Sequence, residues 1–162
     1  MQSDLLSLDE AINKIKSSFQ KISNEDIFLK DALGRCLAKP IISKVDNPKY
    51  DVSSMDGYAV NYKDFTKAKD SRVKKFKIVG ESSAGTPYSK KINPQETVRI
   101  FTGAKLPKGS NTVIIQEDVK VLNNGNFIII EGSPKKNQFV RKKGLDFKKN
   151  NILFKEGIIL KS

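Results

Sequence analysis

Asn47-Pro48-Lys49-Tyr50-Asp51-Val52-Ser53-Ser54-Met55-Asp56-Gly57-Tyr58-Ala59-Val60 concentrates turn chemistry, small oxygen donors and aromatic anchors as no other part of the chain does. Pro48 fixes its own φ and biases Asn47 toward extended backbone, so the chain enters this stretch as an arm and not as a helix. Asp56-Gly57 is a turn signal in which Gly57 can take positive φ at little cost. Tyr58, Ala59 and Val60 then leave the turn as a short apolar strand. Ser53, Ser54 and Asp56 carry the oxygens, while Tyr50, Val52, Met55 and Tyr58 can hold the loop against a core. Two roles fit Asp56. Its carboxylate can close an Asx-type turn on its own backbone, or it can be aimed into a cleft to bind a cation or orient a polar substrate.

Upstream of this loop, Ser7-Leu8-Asp9-Glu10 is a capping box that predicts a helix start. Leu8, Ala11, Ile12, Ile15 and Phe19 follow one helical face and are expected to pack as core. Ile27, Phe28 and Leu29 form a short apolar run. Asp31 is placed to cap a brief helix through Ala32, Leu33 and Leu37, ended by Pro40. Downstream, Thr66 to Arg72 reads as a lysine-rich surface loop and Val73 to Gly80 as a half-buried strand, with Phe76 and Ile78 alternating with Lys75 and Lys77. Thr97 to Phe101 and Thr112 to Gln116 read as strands. Asn123-Asn124-Gly125-Asn126 is a hairpin signal between Val119–Leu122 and Phe127–Ile130. Ile152–Phe154 and Ile158–Leu160 are expected to form a last strand pair. A helical N-terminus followed by many strands predicts an α+β fold, mostly β.

Composition narrows the chemistry. The 162 residues, 38% hydrophobic and 30% charged, suit a soluble globular protein of one medium or two small domains. No stretch approaches the roughly twenty apolar residues of a membrane helix, and the N-terminus lacks the pattern of a signal peptide, so a cytoplasmic location is expected. The single cysteine, Cys36, excludes an internal disulfide and is expected to be a buried structural thiol. With no histidine, the usual neutral-pH general base and the commonest transition-metal ligand are both missing. Chemistry must then rest on carboxylates, hydroxyls, lysines, arginines or a hard cation such as magnesium. The formal charge of +12 predicts attraction to anions. The lysines are spread between apolar strand residues, with no RNP-like run, zinc motif or helix-turn-helix pattern, so nucleic acid is not the expected partner.

Three segments in order carry a specific resemblance. Pro48 to Val60 resembles the Pro-x-Phe-x-x-Ser-x-Met-Asp-Gly-Tyr-Ala-Val run of the MoeA family of molybdopterin molybdenumtransferases, which includes the E domain of gephyrin; Tyr50 stands in place of Phe. Arg99-Ile100-Phe101-Thr102-Gly103-Ala104-Lys105-Leu106-Pro107-Lys108-Gly109 resembles the family's Arg-Ile-Met-Thr-Gly-Ala-Pro-x-Pro-x-Gly. Val140-Arg141-Lys142-Lys143-Gly144-Leu145-Asp146 resembles Val-Arg-x-x-Gly-Glu-Asp, with Leu145 departing from Glu. Asn150 falls where the family has Gly and is compatible with left-handed φ.

The resemblance implies a helix-containing base domain, residues 1–46 with 142–162, and an inserted, elongated all-β lobe, residues 47–141. It implies insertion of molybdenum from molybdate into adenylylated molybdopterin, assisted by a divalent cation, Mg, in a homodimer. Carried over position by position, it assigns Asp56, Thr102 and Asp146 as catalytic. Ser54, Met55, Gly57, Gly103 and Arg141 become substrate contacts, and Asp56 a Mg ligand. It further implies that the pterin- and nucleotide-binding domain lies beyond the last residue here, so that this stretch alone is inactive. A dimerisation or protein-interaction scaffold and a basic nucleic-acid-binding module are the alternatives.

Overall fold

The computed structural model describes residues 6–20, 22–66, 73–122 and 125–161. The chain divides into two compact units, Met1–Pro40 with Phe154–Ser162, and Ile41–Leu153.

In the first unit, α1 spans Leu8–Ser18. The capping box is formed as expected, with the Ser7 amide donating to Glu10 Oε2 at 2.8 Å and the Glu10 amide to Ser7 Oγ at 3.3 Å. The expected burial of the apolar stripe is overturned: no residue of α1 is buried, and Leu8 and Phe19 are 76% and 79% exposed. Amphipathic spacing states that a face needs cover without stating what supplies it. In place of the predicted helix after Asp31 there is a single 3-10 turn at Leu29–Asp31, and Gly34, at φ +78°, ends any helical path. Cys36 is exposed, not buried. Ile159 pairs with Cys36 in an isolated antiparallel bridge, so the two C-terminal apolar runs do not form a strand pair with each other.

The remaining elements are β1 (Ile41–Ile42), β2 (Val52–Ser53), β3 (Gly57–Val60), α2 (Lys63–Thr66), β4 (Val73–Ser82), β5 (Glu96–Ile100), β6 (Thr112–Ile115), β7 (Val119–Leu122), β8 (Phe127–Glu131), β9 (Val140–Arg141) and β10 (Ile152–Phe154). Thr66 therefore closes a short helix, and the rest of the predicted loop, 67–72, lies outside the described residues. Six strands form one mixed sheet in the order β6-β3-β5-β4-β8-β7, while β1 pairs with β10 and β2 with β9. Only β4 and β5 run parallel; the other pairs of the large sheet are antiparallel. The fold is α+β and mostly β.

Position in the sheet explains the residues. β3 lies between β5 and β6 and is buried along its whole length. Strands covered on both faces read as continuous apolar runs, as Gly57-Tyr58-Ala59-Val60 does. One face gathers Tyr58, Val60, Phe65, Phe76, Ile114, Ile128 and Ile130, with the Phe65 and Phe76 rings stacked at 5.4 Å. The other gathers Ala59, Ile100, Ala104, Leu106 and Val113. Toward β4 one face is open, and its strand alternates apolar and lysine as expected. β7 and β8 form the predicted hairpin, although residues 123–124 of its tip lie outside the described set. Asn150 takes φ +70°.

Gly57 is required for a reason other than the expected one. It is not among the positive-φ glycines. A Cβ built on it would lie 1.9 Å from the Ile114 carbonyl oxygen. Close approach of β3 to β6 demands the glycine, not turn conformation.

Candidate active site

Asp56 precedes β3 at one end of the sheet, and Thr102 follows β5 beside it. The Thr102 amide and hydroxyl both donate to Asp56 Oδ1, each at 2.8 Å. The Thr102 amide first, then its hydroxyl, with Arg99 adding its charge, hold the Asp56 carboxyl below the usual carboxylate range. Asp56 does not close a turn on its own backbone. That role falls to Ser53, whose hydroxyl donates to the Met55 carbonyl at 2.5 Å and accepts from the Met55 amide at 3.3 Å. Since the single Thr102 hydroxyl proton is spent on Asp56, the pair offers a ligand acceptor oxygens and no free donor.

The donor is a residue passed over in the sequence. Arg99 pairs with Tyr58 across β3 and β5, and its guanidinium lies 5.0 Å from the Tyr58 ring and 5.2 Å from the Phe101 ring. One of its nitrogens donates to Gln116 Oε1 at 2.5 Å, while the Gln116 amide donates to the Asp56 carbonyl at 3.2 Å. Strand alternation aligns Arg99 with Phe101, but only the β3–β5 register brings that pair onto Asp56.

The remaining predicted residues separate into neighbours and a second cluster. Gly103, at φ +79°, donates its amide to the Ser53 carbonyl at 2.9 Å, and the Ser54 amide donates to the Phe139 carbonyl at 3.0 Å. Met55 is exposed, and Gly57 is buried against β6. Asp146 lies elsewhere in hydrogen-bond terms: Arg141 donates to both its oxygens, at 2.7 and 2.9 Å, and the Asn47 side chain donates to Oδ2 at 3.0 Å. Among the described residues no hydrogen bond or ion pair links Asp146 or Arg141 to Asp56 or Thr102. β2 lies between the clusters, with Ser53 paired to Val140 while its carbonyl binds Gly103.

Among the described residues no group of three acidic, histidine or cysteine side chains is placed to hold a metal ion. Asp56 Oδ2, which accepts no hydrogen bond among the described residues, would offer a cation a single carboxylate oxygen. That donor set fits magnesium, which commonly takes one or two carboxylates and fills its shell with water and substrate oxygens.

A family model described as the MoeA N-terminal region (domain I and II) matches residues 6–162. The chain belongs to this MoeA family. It is 35% identical over 154 residues to the molybdopterin molybdenumtransferase of Haemophilus influenzae, covering 94% of this chain and 37% of that protein. It is 41% identical over 112 residues to the molybdopterin molybdenumtransferase of a Nostoc species, covering 69% and 25% respectively. Among solved structures, a molybdopterin biosynthesis MoeA protein from Pyrococcus horikoshii superposes with a TM-score of 0.80 at 33% identity, covering 98% of this chain and 40% of that one. This MoeA region thus spans well under half the length of these relatives. No helix among its described residues is long and apolar enough to cross a membrane.

Proposed function

We propose that this MoeA region forms part of the site at which molybdenum from molybdate is inserted into adenylylated molybdopterin, within molybdenum cofactor biosynthesis. Asp56, held ionised by Thr102 beside the Arg99 guanidinium, supports that role. Its free oxygen can accept from a water that exchanges with an oxyanion, or hold Mg, which when bound would offset charge on substrate oxygens. Thr102 orients the carboxylate. Arg99 supplies a donor to an anionic substrate, with Gly57 and Gly103 setting the loop backbones and Ser54 and Met55 bordering the approach. Asp146 has both oxygens engaged and acts by fixing Arg141 toward substrate. The pterin and nucleotide contacts come from the part of the protein its relatives have beyond this region.

In this proposal the working form is a homodimer in the cytoplasm, and the exposed apolar stripe of α1, which asks for cover, supports the dimer. The same stripe favours a second role as an assembly scaffold. Asp56→Asn in the complete enzyme separates the two. Molybdenum insertion should fall by about a hundredfold or more, with circular dichroism and self-association unchanged. Undiminished turnover would remove Asp56 from the chemistry and leave the scaffold.

A further inference from the structure

We infer that the cavity walled by Tyr50, Asp51, the Lys105–Ser110 loop and Lys143 binds a doubly charged tetrahedral oxyanion, free or as the phosphate group of a small molecule. None of the residues assigned to the transferase site lines it, and the inference does not rest on that assignment.

The cavity measures about 290 Å³. That is room for one oxyanion with water beside it. Its charge is unbalanced. Asp51, the carboxylate in the wall, is already answered by Lys142 Nζ at 2.8 Å and the Lys143 amide at 2.9 Å. Burial pushes the Asp51 carboxyl up, but these two donors outweigh it and hold the group below the usual range. Lys143 Nζ is paired with Asp46 at 3.2 Å. Lys105 and Lys108 meet no carboxylate among the described residues. Lys105 Nζ instead lies 4.0 Å from the centre of the Tyr50 ring. A cation–π contact holds an ammonium in place without cancelling its charge.

The loop that carries both lysines is held at each step. The Leu106 amide donates to the Asp51 carbonyl at 2.9 Å, and the Ile92 amide to the Lys108 carbonyl at 2.9 Å. The Asn61 side chain donates to the Gly109 carbonyl at 2.7 Å, and Ser110 Oγ to the Pro107 carbonyl at 2.7 Å. Gly109, at φ +94°, is obligatory: a Cβ there would lie 2.7 Å from the Ile92 carbonyl oxygen. Its absence lets Lys91 run in a parallel bridge beside Lys108. The pinned backbone and the Tyr50 ring hold the Lys105 ammonium so that it costs less ordering on binding than a free surface lysine; Lys108, exposed on the same loop, adds a second point charge of the kind that suits phosphate. Tyr50 and Lys105 also stand where the family runs carry Phe and Pro, and they contact each other.

The test is an amide NMR titration of the full chain with sodium phosphate and, in parallel, sodium molybdate, at ionic strength held constant with chloride. The expected result is saturable shifts at Lys105, Lys108 and Ser110. Lys105→Gln and Lys108→Gln should each weaken binding by about tenfold or more, the loss expected of one charge-assisted hydrogen bond. Lys75→Gln, on the open strand face, should change nothing. Saturation by either anion supports the site, and the tighter one names the source. Absence of saturation by both overturns it, as does an equal loss in Lys75→Gln, which would reduce the effect to general surface charge. If Lys105→Gln disturbs amides beyond the loop, the exposed Lys108→Gln carries the decision.

Discussion

The two units treat their apolar residues in opposite ways. In the strand unit, Phe76 is 1% exposed and sits in a cluster built from four strands and a helix. In the N-terminal unit, Phe19 is 79% exposed at the end of a well-capped helix. Both segments carry clear hydrophobic periodicity, yet among the described residues only one is satisfied. A strand unit that closes its own core can hold Asp56 and Thr102 in fixed register. An N-terminal unit with an open apolar face is suited to meeting something else.

The comparison breaks most easily at Gly57, where the strand unit has least room. Gly57→Ala would place a methyl 1.9 Å from the Ile114 carbonyl, so β3 and β6 must separate. Their pairing carries the two-sided core. The variant should lose about 3 kcal/mol or more in denaturant unfolding, at the upper end of overpacking costs. A loss below about 1 kcal/mol would show that the strand unit yields, and that its contrast with the N-terminal unit is one of degree.

What the sequence revealed follows the range of the interactions. Ser7 and Glu10 are three residues apart, and the hairpin loop between β7 and β8 is four residues long, so both were legible. The glycine at 57 was legible but not its cause, because the Ile114 carbonyl that excludes a side chain comes from a strand more than fifty residues away. Arg99 stands in a recognisable motif, yet its role as the cation beside Asp56 is not legible there. Its place depends on the β3–β5 register, which alternation alone leaves open. Asp56 and Thr102 could be named by resemblance, but their two hydrogen bonds belong to the fold. Cys36 and the α1 stripe went the other way: residue type predicts burial, and among the described residues no partner element buries them.

A smaller effect tests the rigidity of the strand unit at its site. The folded-state pKa of Asp56 is depressed, so its bonds to Thr102 contribute stability above the unfolded carboxyl value of about 3.9. That contribution is lost as pH falls through the lower folded value. Thr102→Val removes the hydroxyl and keeps the amide, the larger cause. The Asp56 carboxyl, followed by carbon NMR, should titrate at a higher pH than in the parent and still below its ordinary value. A full return to the ordinary value would mean that the amide bond depends on the hydroxyl, and that the loop is held less firmly than the core beneath it.

The smallest effect on stability belongs to α1. Phe19→Ala removes a ring that packs on no buried cluster, so unfolding free energy should move by no more than about 0.5 kcal/mol. The same change at Phe76 should cost about 3–5 kcal/mol. Sedimentation adds what unfolding cannot. If the stripe of Leu8, Ile12, Ile15 and Phe19 covers a second copy, Phe19→Ala should weaken self-association of the complete protein while leaving monomer stability intact. If Phe19→Ala destabilises the monomer as much as a core truncation, the stripe is covered within the chain, and the difference between the two units disappears.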